Sequence, residues 1–229
     1  MKRTLVTGAV IGLIAAAGIA APAQAAPQHL PAPNATVGLF HGVPKTPVDV
    51  YLDKKKIVDD FQPGTFAGPL QVPAGTHSVR ITAADATSWK HAIIKAEVKV
   101  KGGKNYSLIA HLTKWGKPTL TGYRNNLSPV KHGEARVTVR HVAAAPAVDV
   151  RADGKKVVRW LKNPNEAVLT APLGTYSTAV TLAGSKKAVL GPVDVTLAKD
   201  TNTIIYAWGS AKDGTLALTT RVLPTQPRS

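Results

Sequence analysis

The chain has 229 residues, no cysteine, and 29 basic against 13 acidic side chains, a formal net charge of +16. A hydrophobic fraction of 44% excludes a disordered chain and allows packed cores. Without cysteine there are no disulfide staples, no thiolate metal sites and no lipid-modified cysteine, so stability rests on packing alone.

The first expected element is a secretory signal peptide over residues 1–25. Lys2 and Arg3 form a basic start, Thr4 to Ala21 is mostly apolar, and Ala23-Gln24-Ala25 supplies the small side chains that signal peptidase requires. Gly8, Gly12 and Gly18 interrupt the apolar run, and no later stretch reaches the length of a membrane span. Cleavage after Ala25 leaves 27 basic residues against 13 acidic ones, a net charge of +14. The expected location is outside the cell, free or associated with the envelope. Such a charge favours polyanions, and its plainer reading is a solvated basic surface.

Residues 26–34 carry Pro27, Pro31 and Pro33 and read as a flexible leader. The rest is a duplication. Ala35 to His41 followed by Val48-Asp49-Val50 returns one hundred residues later as Ala135 to His141 followed by Val148-Asp149-Val150. Downstream, Asp53 and Lys55-Lys56 match Asp153 and Lys155-Lys156, and after a one-residue deletion Pro73-Ala-Gly75-Thr76 matches Pro172-Leu-Gly174-Thr175.

Within each copy apolar residues alternate with polar ones, as at His77, Val79 and Ile81 or Val137 and Val139, the period of a half-buried strand. Turn formers such as Gln62-Pro63-Gly64, Lys101-Gly102-Gly103-Lys104, Asp153-Gly154 and Lys212-Asp213-Gly214 punctuate the pattern. About seven short strands per copy bury a face only against a second sheet. The expected fold is therefore all-β: two tandem antiparallel β-sandwich domains, Ig-like or transthyretin-like, after the signal peptide. Module 1 is expected over 35–124, a linker that limits relative motion without abolishing it over 125–134, module 2 over 135–223, and a frayed tail over 224–229.

The stretches His41 to Tyr51 and His141 to Val150, each followed by a Pro-x-Gly-Thr turn, resemble the opening of the DUF4397 domain, whose marks are a Val-Asp-Val-Tyr strand and a later Pro-Ala-Gly-Thr turn. Copy 1 keeps Val48 to Tyr51 and Pro73 to Thr76, whereas copy 2 has Arg151 for the tyrosine and Leu173 for the alanine. Neither copy has the family's Ser-Pro-Asp triplet. The resemblance implies an extracellular, duplicated β-sandwich and no defined activity.

No catalytic pattern stands out. There is no G-x-S-x-G elbow, no H-E-x-x-H pair and no phosphate-cradling glycine loop. The histidines are scattered, so neither a metal nor a cofactor is expected. His41 with Asp49, and His141 with Asp149, form a polar pair kept at equal positions in both copies. They suit a metal pair or a His-Asp base, and more simply hydrogen bonds that the fold needs. The binding candidates are the cationic turns and an aromatic among lysines: Lys54, Lys55, Lys56, Lys155 and Lys156, with Lys114, Trp115 and Lys117. Cationic turns also protect sheet edges. Trp208, beside Ile204 to Tyr206, reads as core.

The expectation is a non-enzymatic binding module for an anionic wall polymer or glycan, with no specific nucleic acid and no transmembrane segment once the signal is removed. Its alternatives are a structural spacer that contacts another surface protein, and a hydrolase using His41 or His141. A specific ligand would engage one copy or the cleft between the two.

Overall fold

The computed structural model describes residues 33–227, and the expected signal peptide and all but the end of the leader lie outside the described residues. The first sandwich has eight strands: β1 (Ala35–His41), β2 (Val48–Leu52), β3 (Lys55–Phe61), β4 (Phe66–Val72), β5 (Gly75–Ala83), β6 (Ile94–Val100), β7 (Asn105–Leu112) and β8 (Pro118–Arg124). They form one sheet in the order β4-β1-β7-β8 and a second in the order β3-β2-β5-β6. The second sandwich repeats this with β9 (Glu134–His141), β10 (Val148–Ala152), β11 (Lys155–Leu161), β12 (Glu166–Pro172), β13 (Gly174–Leu182), β14 (Ala188–Leu197), β15 (Thr201–Trp208) and β16 (Ala217–Pro224). Its sheets run β12-β9-β15-β16 and β11-β10-β13-β14.

The all-β sandwich expectation holds, with two differences. Each sandwich has eight strands, and each contains one parallel pair, β1 with β7 and β9 with β15, among otherwise antiparallel neighbours. The parallel pair follows from the chain path. After β1 the chain crosses to the other sheet for β2 and β3, returns as edge strand β4, crosses again for β5 and β6, and comes back beside β1 as β7 in the same direction.

Ladder register repeats as closely as the sequence does. Val48 pairs with Phe61 and Val148 with Leu161, and Leu52 with Lys55 as Ala152 with Lys155. The hairpin after β2 turns through Asp53 and Lys54 at φ of 48° and 70°, that after β10 through Asp153 and Gly154 at 48° and 73°. Two left-handed residues in succession match a two-residue loop to the strand twist, which is why Asp-Gly suits the second turn. In the first, a lysine occupies the glycine position.

The inward faces build two cores, one around Val37, Leu39, Val50, Ile81 and Leu108, the other around Val137, Val139, Val150, Val180 and Ile205. A third cluster joins the sandwiches. Phe40, Ile109, Tyr123, Val142, Ile204 and Tyr206 are buried together on the outward faces of the β1 and β9 sheets, with Phe66, Trp208 and Leu223 packed against them. Strands β1, β7, β9 and β15 are thus covered on both sides, which accounts for the unbroken apolar runs Leu108-Ile109-Ala110 and Ile204 to Ala207. Trp208 is half-buried in this seam, its ring 5.9 Å edge-on from Phe40, and is not part of a sandwich interior. A Cβ at Gly64, itself at φ +78°, would come within 2.8 Å of the Trp208 ring.

Equivalent positions carry different chemistry across the seam. Phe40 pairs with Phe66 in the β1–β4 ladder, and Arg140 with Glu166 in the β9–β12 ladder. Arg140 is 1% exposed. Its guanidinium donates to Glu166 Oε2 at 2.9 Å, Asn125 Oδ1 at 2.8 Å and the Tyr206 hydroxyl at 3.3 Å, and stacks 4.4 Å from the Tyr123 ring centre. Asn163 Nδ2 donates across the seam to the Leu112 carbonyl and, within its own sandwich, to that of Ala143.

The connection between β8 and β9 is tied to both sides through Asn125, which donates to Asn105 Oδ1 at 2.5 Å. The backbone amides of Thr225 and Gln226 donate to the carbonyls of Asp200 and Leu127, so the start of the expected tail is held. No helix among the described residues is long and apolar enough to cross a membrane.

Candidate functional site: a cationic end

The chain path sorts the charged turns. β1 and β7 both begin, and β8 ends, at the end of the first sandwich that carries the β2–β3 turn. This end therefore gathers Lys54 and Lys55, the Lys101–Lys104 turn and Arg124. By the same topology the second sandwich gathers Lys155, Lys199 and the end of β16 at its corresponding end. The two ends meet. A hollow of about 620 Å³ lies in the seam between them, lined by Lys104, Asn105 and Arg124 from one sandwich, by Asn125, Asn126 and Ser128 from the connection, and by Thr225 and Gln226 from the other side.

Its floor is hydrogen-bonded and its rim is free. Asn126 Oδ1 accepts from the Ser128 amide and hydroxyl, and Arg136 holds the loop through the carbonyls of Asn126 and Ser128. Among the described residues no ion pair engages Lys104 or Arg124. Amides, a hydroxyl and two unpaired cations facing one hollow can receive an anion or a hydroxyl-rich chain. The volume falls within the range of small-molecule sites, roughly 300–1,000 Å³.

The residues picked from the sequence divide into three sets. Lys54, Lys55 and Lys155 stand at the cationic end, exposed and, among the described residues, outside every ion pair. Lys56 and Lys156 do not belong with them. Lys56 Nζ sits 2.6 Å from Asp49 Oδ2 and 2.8 Å from Asp59 Oδ1, and Lys156 Nζ sits 2.5 Å from Asp149 Oδ2. These two lysines neutralise the buried carboxylates of Asp49 and Asp149, a contact that serves the fold. The bonds with Asp49 and Asp59 raise the Lys56 ammonium well above its ordinary range. Lys156, with the amides of Trp160 and Gly184, lowers Asp149 to about 2. Lys114, Trp115 and Lys117 lie in the β7–β8 turn, at the opposite end of the sandwich. Trp115 is 83% exposed there, with Lys114 Nζ 4.4 Å from its ring centre. The fold separates this group from the cationic turns.

His41 and Asp49 are buried and serve separate bonds. His41 Nε2 reaches the Thr46 carbonyl at 2.8 Å, as His141 Nε2 reaches that of Pro146 at 2.9 Å. Asp49 Oδ1 accepts from the Asp60 amide, as Asp149 Oδ1 does from that of Trp160. Burial lowers the pKa of both histidines. No group of three or more His, Cys, Asp or Glu side chains suited to a metal ion exists among the described residues.

One titrating pair went unread in the sequence. His77 Nδ1 lies 2.6 Å from Asp53 Oδ2, with its Nε2 2.8 Å from the Pro73 carbonyl. The pairing raises the imidazole and lowers the carboxyl. The aligned turns Asp53 and Pro73-Ala-Gly75 were the available signal, because the second copy puts the Tyr176 hydroxyl on the Pro172 carbonyl at the matching place.

No curated protein matches the chain. Among solved structures, the crystal structure of CBMbc (family CBM26) from Eubacterium rectale Amy13K in complex with maltoheptaose is similar at 10% identity and a TM-score of 0.25, covering 85% of this chain and 98% of that one. The model of DUF4397, a domain of unknown function, matches residues 35–151, which span the first sandwich, the connection, and the second sandwich as far as β10. That match takes in just over half of the sequence, and the chain belongs to the DUF4397 family.

Proposed function

We propose that this protein is a secreted, non-enzymatic module of two DUF4397 copies that binds an anionic wall polymer or acidic glycan at its cationic end. The observation that carries the reading is the hollow flanked by Lys104 and Arg124, with the Lys54, Lys55 and Lys155 turns at the same end. Unpaired cations around a polar recess attract and hold a polyanion, and the attraction weakens as salt shortens the Debye length.

Purified wall teichoic acid, with neutral glucan as control, tests the proposal. The intact protein retains the anionic polymer at about 50 mM salt and releases it as salt rises severalfold. Lys104→Glu with Arg124→Glu weakens retention at least about tenfold, a loss of about 1.4 kcal/mol. Lys114→Glu with Lys117→Glu, at the far end, leaves it unchanged. Equal retention by the first pair and the native protein, or no retention at low salt, overturns the reading.

A further inference from the structure

The second sandwich is hollow where the first is full. A cavity of about 320 Å³ lies between its sheets, whereas the space lined by the corresponding residues of the first is about 10 Å³. Register identifies the cause. Val139 stands for Leu39, Ala152 for Leu52, Ala171 for Val72 and Thr178 for Val79, so the walls have lost side-chain volume at four facing positions.

The space suits an apolar occupant. Its walls are chiefly Val, Leu, Ile and Ala, and the hydroxyls of Thr178 and Tyr176 are already spent on the carbonyls of Tyr176 and Pro172. Water needs several partners to settle in a cavity, and these walls offer few. An empty apolar void destabilises a protein in proportion to its volume, so filling it is favourable.

Access is from the side. Val157 on edge strand β11 and Thr170 on edge strand β12 line the cavity and are exposed, Val157 to 43%. At this mouth Lys155 is the ladder partner of Ala152, and cross-strand partners leave a sheet on the same face. A lysine that makes no ion pair among the described residues therefore stands on the cavity side, at its rim.

We propose that the second sandwich binds one single-chain fatty acid, its alkyl chain between the sheets and its carboxylate against Lys155. A cavity of about 150 Å³ takes the six carbons of benzene, so this one takes about a dozen. The site is separate from the hollow in the seam and does not depend on the polyanion reading.

Calorimetric titration of the whole chain with dodecanoate, and with dodecanol, tests the assignment. The native protein binds dodecanoate one to one. Ala152→Leu with Thr178→Val, which restores the first sandwich's residues, melts no lower and binds at least tenfold more weakly. Val139→Leu is the second filling variant, for use if the first misfolds, with the same loss expected. Lys155→Gln weakens dodecanoate severalfold and leaves dodecanol unchanged. Lys104→Glu with Arg124→Glu leaves binding intact, which separates this site from the polyanion reading. Absence of dodecanoate binding, undiminished binding by a folded filled variant, or equal loss of both ligands in Lys155→Gln overturns the proposal.

Discussion

The first sandwich closes on itself and the second does not, although both follow one strand order and one register. Leu39, Leu52, Val72 and Val79 fill the space between the first pair of sheets, and their smaller counterparts leave a cavity in the second. At the seam the contrast reverses. The first sandwich contributes the aromatic pair Phe40 and Phe66, and the second the ion pair Arg140 and Glu166. Backbone hydrogen bonds and turns tolerate such exchanges, so the architecture survives while packing and charge diverge. What a duplicated β-domain preserves is its ladder, together with the few side chains that satisfy buried backbone groups, such as His41, Asp49 and their partners in the second copy.

The largest expected effect breaks the comparison at the seam. Arg140→Ala leaves Asn125 and Tyr206 without their buried donor and Glu166 without its cation, and should cost about 3–5 kcal/mol in urea denaturation. A loss under about 1 kcal/mol would show that the network is incidental to stability. Next comes reciprocal exchange in the cores. Leu39→Val opens a filled core and should cost about 1 kcal/mol, whereas Val139→Leu enters an existing space and should raise stability or leave it unchanged. Equal losses in thermal melts would mean that the two interiors are equally packed.

The smallest effect concerns pH. Pairing with Asp53 raises His77 above its ordinary value, so its contribution is complete below about pH 6.5 and is lost as pH climbs through the folded value. His77→Tyr, the residue of the second copy, should remove that alkaline decline. Burial of His41, His111 and His141 acts oppositely, since their folded values are lowered, and destabilises both native and variant chains as pH falls below about 6.5. Denaturation midpoints from pH 5 to 9 separate the two trends.

Most of the strand pattern was legible, because alternation at Val137 and Val139 and breakers such as Asp153-Gly154 depend on neighbours a few residues away. The parallel pairs were not, since β1 and β7 are joined through the other sheet. Nor was the seam. Phe40, Ile204 and Tyr206 lie on strands buried on both faces, and a sequence read for one sandwich at a time assigns every apolar residue to its own core. Lys54, Lys55 and Lys56 form one run, yet only Lys56 meets Asp49, a contact fixed by ladder register between β2 and β3. The smaller residues of the second core were visible in the aligned copies, but side-chain size acquires meaning only when the opposite sheet is known.

The Arg140 seam also bears on how a sandwich with a cavity stands at all. Because the buried contacts of Phe40, Tyr123, Arg140 and Tyr206 vanish if either half opens, the two halves are expected to melt together, the well-filled half lending its margin to the other. Looseness that would be ruinous in an isolated domain becomes room for variation. Through the same linkage, any molecule occupying the second interior would be felt as added heat resistance in the first.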